Sequence, residues 1–456
     1  MIDLNNQLKN PNSKESNASF NVSSLFFFAV LFLVIFFVFA TSTNIIYFSA
    51  IALGIISIRI YSVVPAAFFV ATLLLPFELI GPIFGIEEVS GLKLMVLHPA
   101  VISIGVGSFL NIIIRRNLLF ERFKVDRALR RIFVIFIFFL SSIFVQTIYF
   151  RGVKGLPLCF ANYFIPFCFF LYLLIFPKNE VKKILKFYVI LLLAIALYGI
   201  FEFLTKNNFL YGNLYSLQNP ERDYYIYRIK TTIGNALNNS AYFLFALSIC
   251  LKLFKKPISI VTVFIFFISI FATGSRMAAL LAVSILIFSH SNLSLDLLKN
   301  WKSLFISCLV IFVAYFLLFY SGFGTTLAER LSAAEGSAQV RLNSLAVLKN
   351  VILDNFVFGK GMGLSSESSL YYIGLFGFEN PWLMLIVDAG FLTMLLNLAV
   401  FFITAISKLH YSRSESFEKQ LYLAFIFIQV LLASYSSFGI MSSINLLVWF
   451  NIALLY

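Results

Sequence analysis

Charge is what this chain has least of. Asp, Glu, Lys and Arg make up 12% of its 456 residues, against about 25% in soluble domains. Histidine is scarce too, at three residues, and there are four cysteines. These shortages exclude a water-soluble globular domain, a disordered chain and a disulfide scaffold. Cys159, Cys168, Cys250 and Cys308 all fall in apolar runs without metal-ligand spacing, so they read as small packing residues. No Walker-type phosphate loop is present. The run Gly359-Lys360-Gly361-Met362-Gly363 lacks that spacing and reads as a tight turn after a helix. A cleavable signal peptide is not expected either. Residues 1–24 are polar, and the first apolar run has no small-residue cleavage site.

What is abundant is apolar surface. Hydrophobic residues reach 61%, with 57 Phe among them. A chain of this kind is solvated by lipid, where only helices and closed barrels satisfy every backbone group. Its apolar runs are continuous rather than alternating, so the expectation is an all-α, polytopic integral membrane protein. Runs near 25–41, 44–58, 61–84, 94–114, 132–150, 158–176, 187–205, 239–254, 257–273, 277–290, 303–320, 381–405, 421–436 and 442–456 give about fourteen transmembrane helices, with a range of about 12–14. The runs at 44–58, 277–290 and 442–456 are short, which leaves a re-entrant or tilted geometry open there. Residues 1–24 form a polar tail, and 25–456 form a single multi-span domain.

Sidedness follows from Lys and Arg in the short loops. The 115–131 loop carries Arg115, Arg116, Arg122, Lys124, Arg127, Arg130 and Arg131, which places it in the cytoplasm. Alternation then puts 177–186, 252–256, 291–302, 406–420 and both termini on the same side. The net charge of +14 is collected there, so the basic balance needs no nucleic acid.

Two long connections fall on the opposite, extracytoplasmic face, at 206–238 and 321–380, and long polar connections are where function concentrates. The first carries Tyr211, Tyr215, Tyr224, Tyr225 and Tyr227 with Arg222, Arg228 and Lys230. Aromatic faces stack on sugar rings and Arg forks grip phosphate; the same tyrosines also suit an interfacial belt. In the second, Val340, Leu342, Leu345, Leu348 and Ile352 recur near helical spacing behind Arg341. That pattern predicts an amphipathic helix lying on the bilayer. Arg276 sits between two apolar runs with almost no loop, either as a site cation or as a snorkelling cap. Glu379 precedes the span that opens at Pro381, either as a catalytic carboxylate or as a helix-start carboxylate. Glu78, Glu202 and Asp388 lie in or near spans, where pairing with an interhelical donor is the simpler reading. His98, alone in an apolar run, reads as a hydrogen-bonded structural residue. His290 and His410 fall on the cytoplasmic side.

The order of these pieces resembles the O-antigen polymerase and O-antigen ligase superfamily. Thr231-Thr232-Ile233-Gly234-Asn235-Ala236-Leu237-Asn238-Asn239 precedes a span, and Thr273-Gly274-Ser275-Arg276 opens another. Arg341 leads a helix ending in Phe358-Gly359-Lys360-Gly361-Met362-Gly363. Glu379-Asn380-Pro381-Trp382-Leu383 then opens a span containing Asp388-Ala389-Gly390-Phe391. The resemblance covers roughly 225–400. Ligases of that superfamily usually carry a His-Asn pair where this chain has Glu379-Asn380, so the likeness is to the polymerase branch.

The resemblance implies a glycosyltransferase of the bacterial inner membrane. It would polymerise undecaprenyl-pyrophosphate-linked oligosaccharide repeat units into O-antigen or a related surface polysaccharide. It implies Glu379 as base, and Arg276 and Arg341, then Arg228, as counterions to the leaving pyrophosphate. Lys230, Tyr224 and Tyr225 would contact glycan or pyrophosphate. No Asp-x-Asp motif lies on the outer face, so an inverting, metal-independent transfer without cofactor is expected. The partners expected are membrane lipids and a chain-length regulator protein. A ligase-type transferase, or a flippase for lipid-linked sugars, are the competing expectations.

Overall fold

The computed structural model describes residues 20–39, 43–76, 98–213, 227–290, 312, 349, 351–352, 356–365, 367–368, 381–413, 417–434 and 442–456. Among these the chain is helical, with no strand. The first helices are α1 (Val22–Val38), α2 (Thr43–Ile56) and α3 (Val63–Phe69), the last running into a π-turn at Val70–Leu74. Then come α4 (Pro99–Ile114), α5 (Arg116–Val125) and α6 (Arg127–Arg151). Next are α7 (Leu156–Leu174), which contains a π-turn at Phe160–Phe164, and α8 (Lys178–Thr205). α9 (Ala236–Leu253), α10 (Lys256–Ala272) and α11 (Arg276–His290) follow. The last three are α12 (Pro381–Ser407), α13 (Phe417–Ser434) and α14 (Ser442–Leu455).

Helix ends follow local chemistry. The Asp126 carboxylate accepts from Leu129 N at 3.0 Å and starts α6, and the Asn235 side chain accepts from Leu237 N at 2.8 Å and starts α9. The His98 ring does the same for α4, accepting from Ala100 N, with Pro99 as the first helical residue. α8 ends where Lys206 turns left-handed, at φ +53°.

By length and composition, five of the described helices can cross a membrane, α6, α7, α8, α9 and α12, the last only when its two arms on either side of Gly390 are counted as one. There are six if α4 and α5, bent by 78° at Arg115, form one span. α1, α2, α3, α10, α11 and α14 are apolar but shorter. The long helices expose apolar side chains in rows, Phe138 and Ile148 on α6 and Phe402 and Ile406 on α12 among them. Soluble proteins do not present such stripes to water, and lipid accommodates them.

Aromatic rings fill the interior. Phe68 stacks on Tyr188 at 4.9 Å, Phe136 meets Phe167 at 4.4 Å and Trp449 at 4.6 Å, so α3, α6, α7, α8 and α14 share one core. α2 and α4 approach more closely through small residues. A Cβ on Gly107 would stand 2.7 Å from Ser57 Oγ, and Ser103 Oγ donates to Ala50 O at 2.6 Å.

Helix direction sorts the loops into two ends. At one end, Lys408 Nζ lies 3.5 Å from Asp126, Lys182 lies over Phe417, and Ser289 donates to Gln420. Phe20 N donates to Glu180 and Ser407 pairs with Tyr456 there as well. Among the described residues, this end gathers parts of the 115–131, 177–186 and 406–420 loops that the charge pattern assigns to one side. The other end holds the C-termini of α6, α8 and α10 and the N-termini of α9 and α11.

α12 departs from the single crossing predicted over 381–405. Gly390 has φ +81° and ψ +163°, far from helical. On a straight helix Trp382 and Phe401 would be about 28 Å apart at 1.5 Å per residue. Their ring centroids are 5.7 Å apart. The two arms, 381–389 and 391–407, therefore fold back on each other in a narrow V. The backbone groups released at the break are taken up by 356–361. Phe391 N donates to Phe356 O (2.7 Å), Lys360 N to Val387 O (3.2 Å) and Gly361 N to Asp388 O (2.8 Å). This segment, predicted as a plain turn, is thus a clasp across a broken helix.

Candidate functional site

Two knots of buried polar side chains lie at the end opposite the basic loops. The first is centred on Glu202, fully buried three residues before α8 ends. Its Oε1 accepts from Lys230 N (2.8 Å) and the Tyr227 hydroxyl (3.0 Å). Its Oε2 accepts from Thr231 N (2.8 Å) and Asn208 Nδ2 (3.1 Å). Asn208 Nδ2 also donates to Thr231 O, and Asn239 Nδ2 donates to Lys230 O at 2.7 Å. Thr231 is left-handed at φ +51°, held there by its hydroxyl bond to Asn239 Oδ1 at 2.6 Å. Thr232 donates to Leu73 O, and the Tyr211 hydroxyl donates to Leu74 O at 2.9 Å. Burial pushes the Tyr211 phenol up to about 12, so it remains a donor at neutral pH.

This network fixes 227–233 on all sides. It presents Arg228 and Lys230, both partly buried, from a rigid segment. Arg228 Nε donates to Thr273 O at 2.7 Å. Thr273 ends α10, and Arg276, also partly buried, opens α11 three residues later. Three of the cations expected from sequence therefore sit at one end of the bundle, two of them on elements joined by a hydrogen bond. Glu379, Arg341, Tyr224 and Tyr225, along with Glu78, lie outside the described residues.

The second knot joins Asp388, read from the sequence as a paired carboxylate, with Arg151, Glu367 and Ser365, which the sequence did not single out. Arg151, the last residue of α6, makes a two-pronged ion pair with Glu367. Asp388, buried on the first arm of α12, accepts from Ser365 N (2.7 Å) and Ser365 Oγ (2.9 Å). Thr147 Oγ1 accepts from Met362 N at 3.2 Å. Asp388 was expected to pair with an interhelical donor. It instead holds the 356–365 segment, as Glu202 holds 227–233. The sequence signal was available in both cases: a carboxylate inside an apolar run is tolerated only with strong donors. What the sequence did not show is that backbone N–H groups of Lys230 and Thr231 hold Glu202, and that Ser365, itself in a helical turn, supplies both donors to Asp388.

The Arg151–Glu367 pair is 18% and 31% exposed. A double-mutant cycle, with Arg151→Ala and Glu367→Ala measured by thermal unfolding in detergent, is expected to show coupling of about 1–2 kcal/mol. That value lies above a surface pair because the geometry is bidentate. Arg151→Lys should retain less than half of it.

His98 is buried, with Nε2 3.2 Å from Leu75 O, in line with a structural role. Cys159, Cys168 and Cys250 are buried and unbridged. Among the described residues no group of three or more His, Cys, Asp or Glu is placed to hold a metal ion. No family model matches this chain, and neither does any curated protein.

Proposed function

We propose that this chain is a membrane glycosyltransferase. In this reading it joins undecaprenyl-pyrophosphate-linked oligosaccharide repeat units at the extracytoplasmic face of a bacterial inner membrane. The supporting observation is the Arg228–Thr273 bond, which ties the segment bearing Arg228 and Lys230 to the turn before Arg276, at the end away from the basic loops. Cations held rigidly at this end of a lipid-embedded bundle suit an anionic headgroup. The fourteen-span topology, the amphipathic helix in 321–380, cytoplasmic termini and a chain-length regulator as partner belong to the same proposal.

The chemistry follows from the residue types. An acceptor sugar hydroxyl attacks the anomeric carbon of the growing chain, and Glu379 takes its proton. The anomeric C–O bond to pyrophosphate breaks as the new glycosidic C–O bond forms. The electron pair leaves with the pyrophosphate, whose charge Arg276, Arg341 and Arg228 offset. Attack opposite the leaving group inverts the anomeric centre. The sequence has no Asp-x-Asp on the outer face, so the arginines take the place a divalent cation would fill, and activity is expected to survive EDTA.

Glu379→Gln is expected to abolish long glycan chains while the protein stays in the membrane. Arg276→Ala and Arg341→Ala should each reduce polymer at least tenfold, with partial recovery in the Lys variants. The readout is the chain-length ladder of surface glycan in a deletion host. Single-unit glycan on the final acceptor in the deletion strain supports the polymerase. Polymer stranded on the lipid carrier supports a ligase, and repeat units trapped on the cytoplasmic leaflet support a flippase. An unchanged ladder in Glu379→Gln removes that residue as the base.

A further inference from the structure

A cleft opens between the two arms of α12 and the helices α13 and α14. It is lined by Tyr163, Trp382, Asn397, Phe401, Gln429 and Asn445 together with aliphatic side chains. Its volume is about 40 Å³, or about 410 Å³ when the open solvent at its mouth is counted. That is room for a few water-sized groups. It lies about halfway along the bundle, since Asn397 is seven residues past the Gly390 break and ten before Ser407. Among the described residues no charged side chain lines it.

Three carboxamides make up most of the polar lining. Both amide atoms of Gln429 and Nδ2 of Asn445 are buried and make no hydrogen bond among the described residues. A buried amide left without a partner costs about 1–3 kcal/mol, and in a lipid-embedded bundle such groups mark ligand paths. Each carboxamide offers two donors and an acceptor oxygen without net charge. That set matches vicinal hydroxyls, which both give and take hydrogen bonds, and it offers a phosphate no counter-charge. Beside it stands the partly buried Trp382, edge-on to Phe401 at 5.7 Å, and Tyr163 also lines the cleft. An indole face next to neutral hydrogen-bonding groups is suited to a pyranose ring.

We propose that this cleft is a saccharide subsite. The hydroxyl edge of one uncharged sugar ring inserts between Asn397, Gln429 and Asn445, and its C–H face lies on Trp382. The subsite is distinct from the Arg228–Arg276 end and takes the glycan rather than the pyrophosphate. It rests on the glycosyl-transfer reading only for where the sugar comes from. The V of α12 is what makes the site: it brings Trp382 back to the level of Asn397 and Phe401.

The test uses the full chain in lipid nanodiscs free of glycosidic detergent. The probes are octyl glycosides of a neutral hexose, an N-acetylhexosamine and a 6-deoxyhexose, each titrated to 50 mM, with inorganic pyrophosphate in parallel. The signal is the part of the tryptophan fluorescence change that Trp382→Phe loses. A saturable change is expected with at least one glycoside and none with pyrophosphate. Gln429→Leu and Asn445→Leu should weaken it at least tenfold while Tm holds or rises, because unpartnered amides are being replaced by apolar groups of similar size.

No Trp382-dependent change with any glycoside overturns the proposal, as does an equal change with pyrophosphate. Loss of binding together with a fall in Tm assigns the carboxamides to structure and also overturns it. Saccharide binding with an unaltered glycan ladder in Glu379→Gln would remove Glu379 as the base and leave the subsite standing. Loss of the ladder in Glu379→Gln without saccharide binding does the reverse.

Discussion

Glu202→Ala is expected to unfasten the segment 227–233 from the bundle. Four donors converge on this carboxylate, two of them backbone N–H groups that have no water to turn to in a fully buried site. Stranding such donors costs about 1–3 kcal/mol each. Part of that is recovered by relaxation of the loop, so the net loss should be about 3–5 kcal/mol, in the range for breaking a buried charged network. Thermal unfolding in detergent reads the loss, and limited proteolysis should show new cleavage near Arg228 and Lys230. Glu202→Gln retains one acceptor oxygen but turns an NH₂ toward donors, so it should fall between wild type and alanine. If Glu202→Ala melts like wild type and 227–233 stays protected, the clamp is not what positions Arg228.

The second large effect is expected at Gly390. Its backbone sits at φ +81°, ψ +163°, a region essentially closed to L-residues. An added Cβ would also stand 2.7 Å from backbone atoms of Phe358. Backbone cannot rotate out of the way as a side chain does. Gly390→Ala should therefore cost more than about 4 kcal/mol, from conformational strain and steric clash together. Gly359→Ala should be nearly as severe, because its Cβ would meet Asp388 and Ala389 backbone atoms at 2.6 Å from the other side. Gly152→Ala is the internal control. That glycine also has positive φ, at +61°, but nothing lies within 4 Å of its would-be Cβ. At φ +61° and ψ −146° it shares the glycine-only region, so strain of about 1–3 kcal/mol without the clash is expected there. The comparison is made on folded yield and Tm in detergent; equal behaviour of Gly390→Ala and Gly152→Ala would mean that the backbone crossing is not tight.

Much of the architecture was legible because lipid solvation leaves few choices. Apolar run length located α7 and the C-terminal ends of α6 and α8, whose helices begin five and nine residues before the runs because charged first turns are helical too, and the Lys/Arg bias grouped loops whose described parts lie at one end. The helix breaks were less legible. Gly390 lies in an unbroken apolar run, and hydropathy is blind to backbone conformation; only the glycines at 359, 361 and 363 hinted that two backbones meet. α9 begins at Ala236, earlier than the run at 239–254 predicted, because Asn235 caps it with a side-chain bond that hydropathy does not register. At the site, Arg228, Lys230 and Arg276 could be placed on one side from topology alone. Their mutual arrangement could not, since it depends on Glu202, Asn208 and Asn239 reaching across sequence gaps. Arg151 and Glu367 went unnoticed because each looks ordinary alone, and only pairing across 216 residues makes them distinctive.

The clasp at 356–361 also bears on how the polypeptide behaves once it is cut. Three main-chain hydrogen bonds to α12, the Arg151–Glu367 pair and the two Ser365 bonds all fall within twelve residues. Whatever lies between 291 and 350 is joined to the bundle downstream by this short stretch as well as by chain continuity. A protease site engineered near residue 330 should yield two fragments that stay associated and co-purify, because the Arg151–Glu367, Thr147–Met362 and Phe136–Trp449 contacts cross the cut, and Asp388→Asn, whose bonds lie wholly within the downstream fragment, should not release them.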